Sequence, residues 1–277
     1  MKIRYVLPIA CVALFAACTA DEQEAVQPLP ADNTADNTTE YHCLINMQLQ
    51  VMPFEESAAQ TRSGDTRADS GWQWTDGTVL YLHYYNGDSH FRGTATYSAA
   101  DGGSWDCSYA GSLAQTDRCE VYYFSGADTG DPKSVTLSAS NAIWADRQAA
   151  YTRDDSGITL VATLRPLTAR LRMKGSTGLG VTLSGVTSYT GYNADANTLT
   201  TSTAPVTAWV GNNTFTGYRH LLFTDPDTRQ LSLTNTQDGS NVTFSCVFPA
   251  EVLAPGQTGY ITIPTLSTNR GWTVSYQ

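Results

Sequence analysis

Acid–base, nucleophilic and metal chemistry all need particular side chains at particular spacings, and the 277-residue chain offers few candidates. Its four histidines are His42, His83, His90 and His220. None is spaced as a metal pair, and His83 alternates within an apolar run, so all four read as structural. The six cysteines include no C-x-x-C pair, which removes the usual frame of a zinc site. Asp225 and Asp227 in "TDPDTR" supply two carboxylates, a thin offer to calcium, and in a proline turn they read as solvated. "GSTGLG" (Gly175 to Gly180) is glycine-rich, but a strand-like run follows it where a phosphate cradle needs a helix. No G-x-S-x-G elbow is present, and no serine, histidine and acid are set out as a triad. The expectation is a protein without catalysis, resident metal or cofactor.

Aromatic residues are the remaining chemistry. "VLYLHYY", "VYYF" and Trp72, Trp74 and Trp105 have the rings to stack on sugars, which defines an alternative function: a surface protein that binds glycans through exposed aromatics. Tyrosine and tryptophan also fill half-buried sheet surfaces, and that packing role is the preferred reading.

The elements that would carry these residues begin with an N-terminus built for export. Lys2 and Arg4 precede an apolar run, Val6 to Phe15, too short to span a bilayer. "FAAC" resembles the lipobox of bacterial lipoproteins. That resemblance implies a signal peptide over residues 1–17, acylation of Cys18 as the new N-terminus, and lipid anchorage in the outer membrane. "TADEQE" (Thr19 to Glu24) is similar to the acidic tag that sends some lipoproteins to the cell surface. Residues 18–40, including the repeat "ADNTADNT", form an acidic tether with nothing large to bury and a reach of roughly 25 Å. Removal of residues 1–17 takes the net charge from −10 to −12, which argues against nucleic-acid partners.

Beyond residue 40 the pattern is β. In "YHCLINMQLQVM" the apolar residues Cys43, Ile45, Met47, Leu49 and Val51 alternate with polar neighbours, the signature of a half-buried strand. A long polar loop, Pro53 to Gly71, follows. Strand-like runs then recur at Val79–Tyr85, Glu120–Phe124, Ser134–Leu137, Ile158–Leu164, Ala169–Lys174 and Val181–Ser184. Further runs are Leu221–Phe223, Gln230–Thr234, Val242–Phe248 and Tyr260–Ile263. Asp238-Gly239 predicts a hairpin and Pro255-Gly256 a type II turn. Helical spacing lasts at most two turns, best in "NAIWADRQAAY" (Asn141 to Tyr151). The acidic break "TRDDSG" divides the rest into sandwich-sized parts, residues 41–156 and 157–277.

Four features together resemble the fimbrillin family, the lipoprotein-derived subunits and accessory proteins of type V pili. They are the lipobox, the alternating strand leading through an arginine-containing loop to "TRADSGWQWTDGTVLYLHY", the pair of runs in "ITLVATLRPLTARLRMKG", and "LAPGQTGYITIP" with "GWTV" near the end. The chain departs from the family pattern at Asp76-Gly77, where the order is commonly reversed, and at Pro166-Leu167, where a histidine is usual. The resemblance implies two tandem transthyretin-like β-sandwiches and assembly by strand exchange with other pilus subunits. In that scheme a protease cuts after Arg67, or alternatively Arg62, and the strand carrying Cys43, Ile45, Met47, Leu49 and Val51 departs. A neighbour's strand fills the slot. Five buried apolar side chains at about 1.5–3 kcal/mol each put roughly 8–15 kcal/mol into that slot as an upper bound. The short tail after Trp272 tilts the expected role towards an accessory or tip subunit, with a host or bacterial receptor as a further partner.

Four cysteines remain after processing: Cys43, Cys107, Cys119 and Cys246. They permit two disulfides in an exported chain, in three pairings. Cys107 and Cys119 flank "SYAGSLAQTDR" and would staple a loop. Cys43 and Cys246 read as buried thiols, and a bridge between them would hold the first strand in place.

Overall fold

The computed structural model describes residues 40–55 and 72–276, with interruptions at 88, 101, 111–115, 117, 155–156, 176–178, 213, 216, 223–228, 236–242, 249–252 and 264–274. Among the described residues every regular element is a strand. The first six are β1 (Glu40–Val51), β2 (Val79–Asn86), β3 (Ser89–Ser98), β4 (Ser104–Ala110), β5 (Arg118–Ser125) and β6 (Ser134–Thr136). Then come β7 (Ala142–Asp154), β8 (Gly157–Pro166), β9 (Ala169–Gly175), β10 (Leu179–Ser184), β11 (Ser188–Asn193) and β12 (Thr198–Ser202). The last are β13 (Val206–Asn212), β14 (Arg219–Leu221), β15 (Arg229–Asn235), β16 (Thr243–Phe248), β17 (Thr258–Ile263) and β18 (Ser275–Tyr276). The chain is all-β, in curled sheets consistent with β-sandwich architecture.

The first array runs β1-β4-β3-β2-β5-β7-β8 and closes on itself. A second, eight-stranded sheet has the path β16-β15-β10-β13-β9-β17-β18, with β14 beside β9. A three-stranded sheet, β12-β11-β6, takes one strand from between β5 and β7 and two from beyond β10. Because β8 pairs with β7 and β1, the strands change sheets at Leu167–Thr168, beyond the acidic stretch Thr152–Gly157.

Local chemistry explains several elements. Gly256 takes φ +88° and Gln257 N–H donates to the Ala254 carbonyl at 3.0 Å, the geometry of the expected Pro255-Gly256 turn. β15 and β16 pair antiparallel around the Asp238-Gly239 region, whose turn itself lies outside the described residues. "NAIWADRQAAY", the segment with the best helical spacing, is strand β7 with a bulge between Ala145 and Ala150. The Asp146 carboxylate spans that bulge, accepting from Gln148 N–H at 2.9 Å and Thr163 N–H at 2.7 Å. β7 carries apolar residues on both faces because both are covered: Ala142 and Trp144 join one core, Ile143 and Ala145 another.

Candidate functional site: the N-terminal strand and its anchorage

β1 changes partner in mid-strand. Glu40 to Leu44 pair antiparallel with β4, placing Cys43 opposite Cys107. Ile45 to Val51 pair parallel with β8, from Ile45↔Ile158 to Val51↔Leu164. Each residue therefore has one strand neighbour, and among the described residues the other side carries none. β1 closes the array yet is an edge along both of its parts.

Its side chains follow the period read from the sequence. His42, Asn46, Gln48 and Gln50 are exposed, while Ile45 is buried and Cys43, Met47, Leu49 and Val51 are half-buried against the first core. Full burial of all five was the premise of the 8–15 kcal/mol estimate. With only Ile45 fully covered, the slot is worth roughly 8 kcal/mol or less, still a useful fraction of a domain's stability.

The anchorage continues past the strand. Met52 N–H donates to the Leu164 carbonyl at 2.9 Å, and the Trp144 indole donates to the Met52 carbonyl at 3.0 Å. Phe54, two residues on, is buried and straddles the two large sheets: it meets Trp144 edge-on at 5.4 Å and His220 at 5.3 Å. Glu55 bridges to Gln257, with its N–H on the Gly256 carbonyl at 2.7 Å and its carboxylate accepting from Gln257 Nε2 at 2.7 Å. The start of the polar loop is thus a strap, a feature signalled in the sequence only by one phenylalanine after a proline.

Phe54 also begins a ladder of cation–π contacts along β9. Arg170 lies over Phe54 at 4.8 Å and over Tyr218 at 4.2 Å. Arg172 follows over Tyr218 at 4.7 Å and Lys174 over Phe215 at 4.6 Å. β9 alternates these cations with Leu171 and Met173, which point into the second core, so one strand serves an apolar and a cationic face.

Cys43, Cys107 and Cys119 are free thiols. The Cys43 and Cys107 side chains hydrogen-bond to each other, and the Tyr84 hydroxyl lies 3.5 Å from Cys107 Sγ. The hydrogen bond from Cys107 lowers the Cys43 pKa; the same bond, with complete burial, raises that of Cys107. Cys119 contacts its own strand, donating to the Glu120 carbonyl at 3.5 Å, and burial pushes its pKa up. Cys107 and Cys119 lie on strands separated by β3 and β2 in the sheet order, and both side chains face the first core. The side chain of Cys246 on β16 lies outside the described residues.

The aromatic runs that would have stacked on sugars are packed. On β2, Leu80, Leu82 and Tyr84 face the first core, while Tyr81 faces a third cluster with Tyr122, Phe124 and Tyr192. The β11–β12 hairpin lies over that outer face. Its tip residue Asn197, at φ +49°, donates through Nδ2 to the Tyr85 hydroxyl at 2.6 Å and to Glu120 Oε2 at 3.0 Å, and accepts from the Tyr192 hydroxyl at 3.0 Å. The Tyr122 hydroxyl donates to Glu120 Oε2 at 2.7 Å, and Arg92 pairs with Asp195 at 2.7 Å. Trp72, Trp74, Trp105, Tyr123 and Trp144 meet edge-on or tilted at 5.2–5.7 Å, which covers Trp105 and Trp144 and half-buries Trp74 and Tyr123, while Trp72 at the rim stays 40% exposed.

His83 Nε2 and His90 Nδ1 are 2.9 Å apart, and burial, then His90, lowers the His83 pKa to about 4. Burial, then Arg170 and Arg219, also lowers His220 to about 4. Among the described residues no group of histidine, cysteine and acid side chains could hold a metal, and no helix is long and apolar enough to cross a membrane. Cys18, Arg62, Arg67, Asp225 and Asp227 lie outside the described residues.

No family model matches the chain, and no curated protein matches it. Solved structures do. A candidate cell adhesion protein from Bacteroides fragilis is 14% identical, covering 84% of this chain and 97% of its own, with a TM-score of 0.40. One from Bacteroides ovatus is 12% identical over 86% of this chain and 96% of its own, TM-score 0.40. A fimbrial assembly protein from Parabacteroides distasonis is 12% identical over 86% of this chain and 100% of its own, TM-score 0.40.

Proposed function

We propose that the chain is a pilus-associated adhesion protein of the cell surface, made as a lipid-anchored precursor on Cys18 and assembled with other pilus subunits by exchange of β1. The observation that carries the reading is the split pairing of β1. It borders β4 with one part and β8 with the other, and each part is a sheet edge. Loss of β1 leaves two open edges and an apolar slot that an incoming strand can refill through backbone pairing and alternate side chains. The stretch between Glu55 and Trp72 holds Arg62 and Arg67, so a cut there separates β1 from β2 without breaking any pairing of β2. Arg67 is the preferred site, giving a mature chain that starts at Ala68. The covered aromatic faces favour this reading over glycan stacking, since Tyr81 and Tyr122 are buried under the β11–β12 hairpin.

N-terminal sequencing of protein sheared from cells tests it. Assembled material beginning at Ala68, or at Ser63 if Arg62 is cut, is the expected result. Assembled material that retains the tether and β1 rules out exchange of this strand.

A further inference from the structure

We propose that Cys43 and Cys107 form a modification site: a cross-strand disulfide that fastens the first part of β1 to β4. The residues are directly opposed in an antiparallel ladder, and their thiols touch. Opposed residues in such a ladder hold their Cβ atoms about 4.5–5.5 Å apart, and a disulfide needs about 3.5–4.5 Å, so closing the bond takes a small approach of two strands already paired. The Cys119 thiol instead donates to the backbone of its own strand, at the Glu120 carbonyl.

The environment also gives the two sulfurs different roles. Cys43 is half-exposed on an edge strand and can meet a solvent-borne oxidant, whereas Cys107 is fully buried and hydrogen-bonds to Cys43. The hydrogen bond from Cys107 favours the thiolate of Cys43. The Cys43 thiolate attacks one sulfur of a small or exported disulfide oxidant, forming a mixed disulfide and expelling the other sulfur as a thiolate. Cys107 gives up its proton to solvent and attacks Cys43 Sγ, releasing the oxidant's second sulfur as a thiolate, and solvent protons complete both released thiols. The chain gives up two electrons and two protons, and the oxidant's disulfide becomes two thiols.

The bond has a consequence that rests on the strand-exchange reading. After a cut in the loop, residues 45–51 can peel from β8, but residues 40–44 stay tied to β4. Departure of β1 then requires a reducing thiol as well as a protease.

The test uses the full chain, reduced, then equilibrated in its native state with oxidised glutathione, alkylated in denaturant and digested with trypsin without reductant. Cleavage after Arg92 and Arg118 separates Cys107 from Cys119, so the partner of Cys107 is read directly. A linked peptide joining Gly93–Arg118 to the segment bearing Cys43, absent in Cys43→Ser, is the expected outcome. Alkylated Cys43 and Cys107, or Cys107 joined to Cys119 or Cys246, overturns the proposal. A second measurement separates the bond from the exchange reading. Chain cut by an arginine-specific protease is scored for SDS-resistant oligomers with and without dithiothreitol, beside cut Cys43→Ser. The oxidised wild type is expected to need dithiothreitol and the variant to need none. Oligomers from oxidised wild type without reductant overturn the latch and leave exchange standing. Absence of oligomers in every sample overturns exchange, while the linked peptide still establishes the bond.

Discussion

Burial turns two of the histidines into reporters of acid. His83 sits among His90, Glu120 and Arg118, and His220 among Phe54, Arg170 and Arg219. Both titrate at about 4 in the folded chain, against an ordinary value near 6.5. As pH falls below 6.5 the unfolded chain takes up protons that the folded chain refuses. Their contribution to stability is therefore complete above pH 6.5 and is lost between pH 6.5 and 4, by on the order of 3 kcal/mol for each at most. Guanidinium midpoints should fall from pH 7.5 to pH 4.5, and His83→Gln should remove part of that slope. An unchanged slope in the variant means His83 is not held neutral. The sequence marked these residues as structural from their spacing alone. It could not show that His83 Nε2 would lie 2.9 Å from His90, because that contact depends on the β2–β3 hairpin register, Tyr85↔His90.

At the scale of the element, β1 was legible and its strap was not. A period of two declares a half-buried strand whatever its neighbours are, and the exposed and covered positions fall as the alternation requires. Phe54 sits in a polar stretch without period, and its partners Trp144, His220 and Arg170 are remote in the chain. Phe54→Ala removes a buried ring from the joint between the sheets and should cost about 3 kcal/mol in urea unfolding. Amide exchange should quicken at residues 52–55 and around Gln257. Unchanged stability and exchange would mean the strap carries no load. Among the strands missing from the sequence reading, β3, β11 and β12 are rich in serine, threonine and glycine. Their hydrophobic signal is weak because much of each is exposed or packed against another strand's aromatics. β7 misled through its helical spacing, which arises from a bulge and two covered faces.

The whole molecule is joined by chain segments that cross between its parts. β6 leaves the first array to pair with β11, and the β11–β12 hairpin covers the outer face of β2 and β5. Tyr192 stands at the centre, 5.7 Å from Tyr81, 5.0 Å from Tyr122 and 5.1 Å from Phe124. Tyr192→Ala should cost roughly 3–5 kcal/mol and split thermal unfolding in calorimetry into two transitions, where the wild type shows one. A single, barely shifted transition in the variant would show that the hairpin does not couple the sheets.

Period and turn chemistry were sufficient to establish an all-β chain, its opening strand and the Pro255-Gly256 turn, because each depends on residues a few positions apart. Which thiol faces Cys43, what covers the tyrosines, and how Phe54 bolts one sheet to another were settled only by tertiary structure. Those contacts join residues whose separation along the chain carries no local signal, and sheet order alone brings them together.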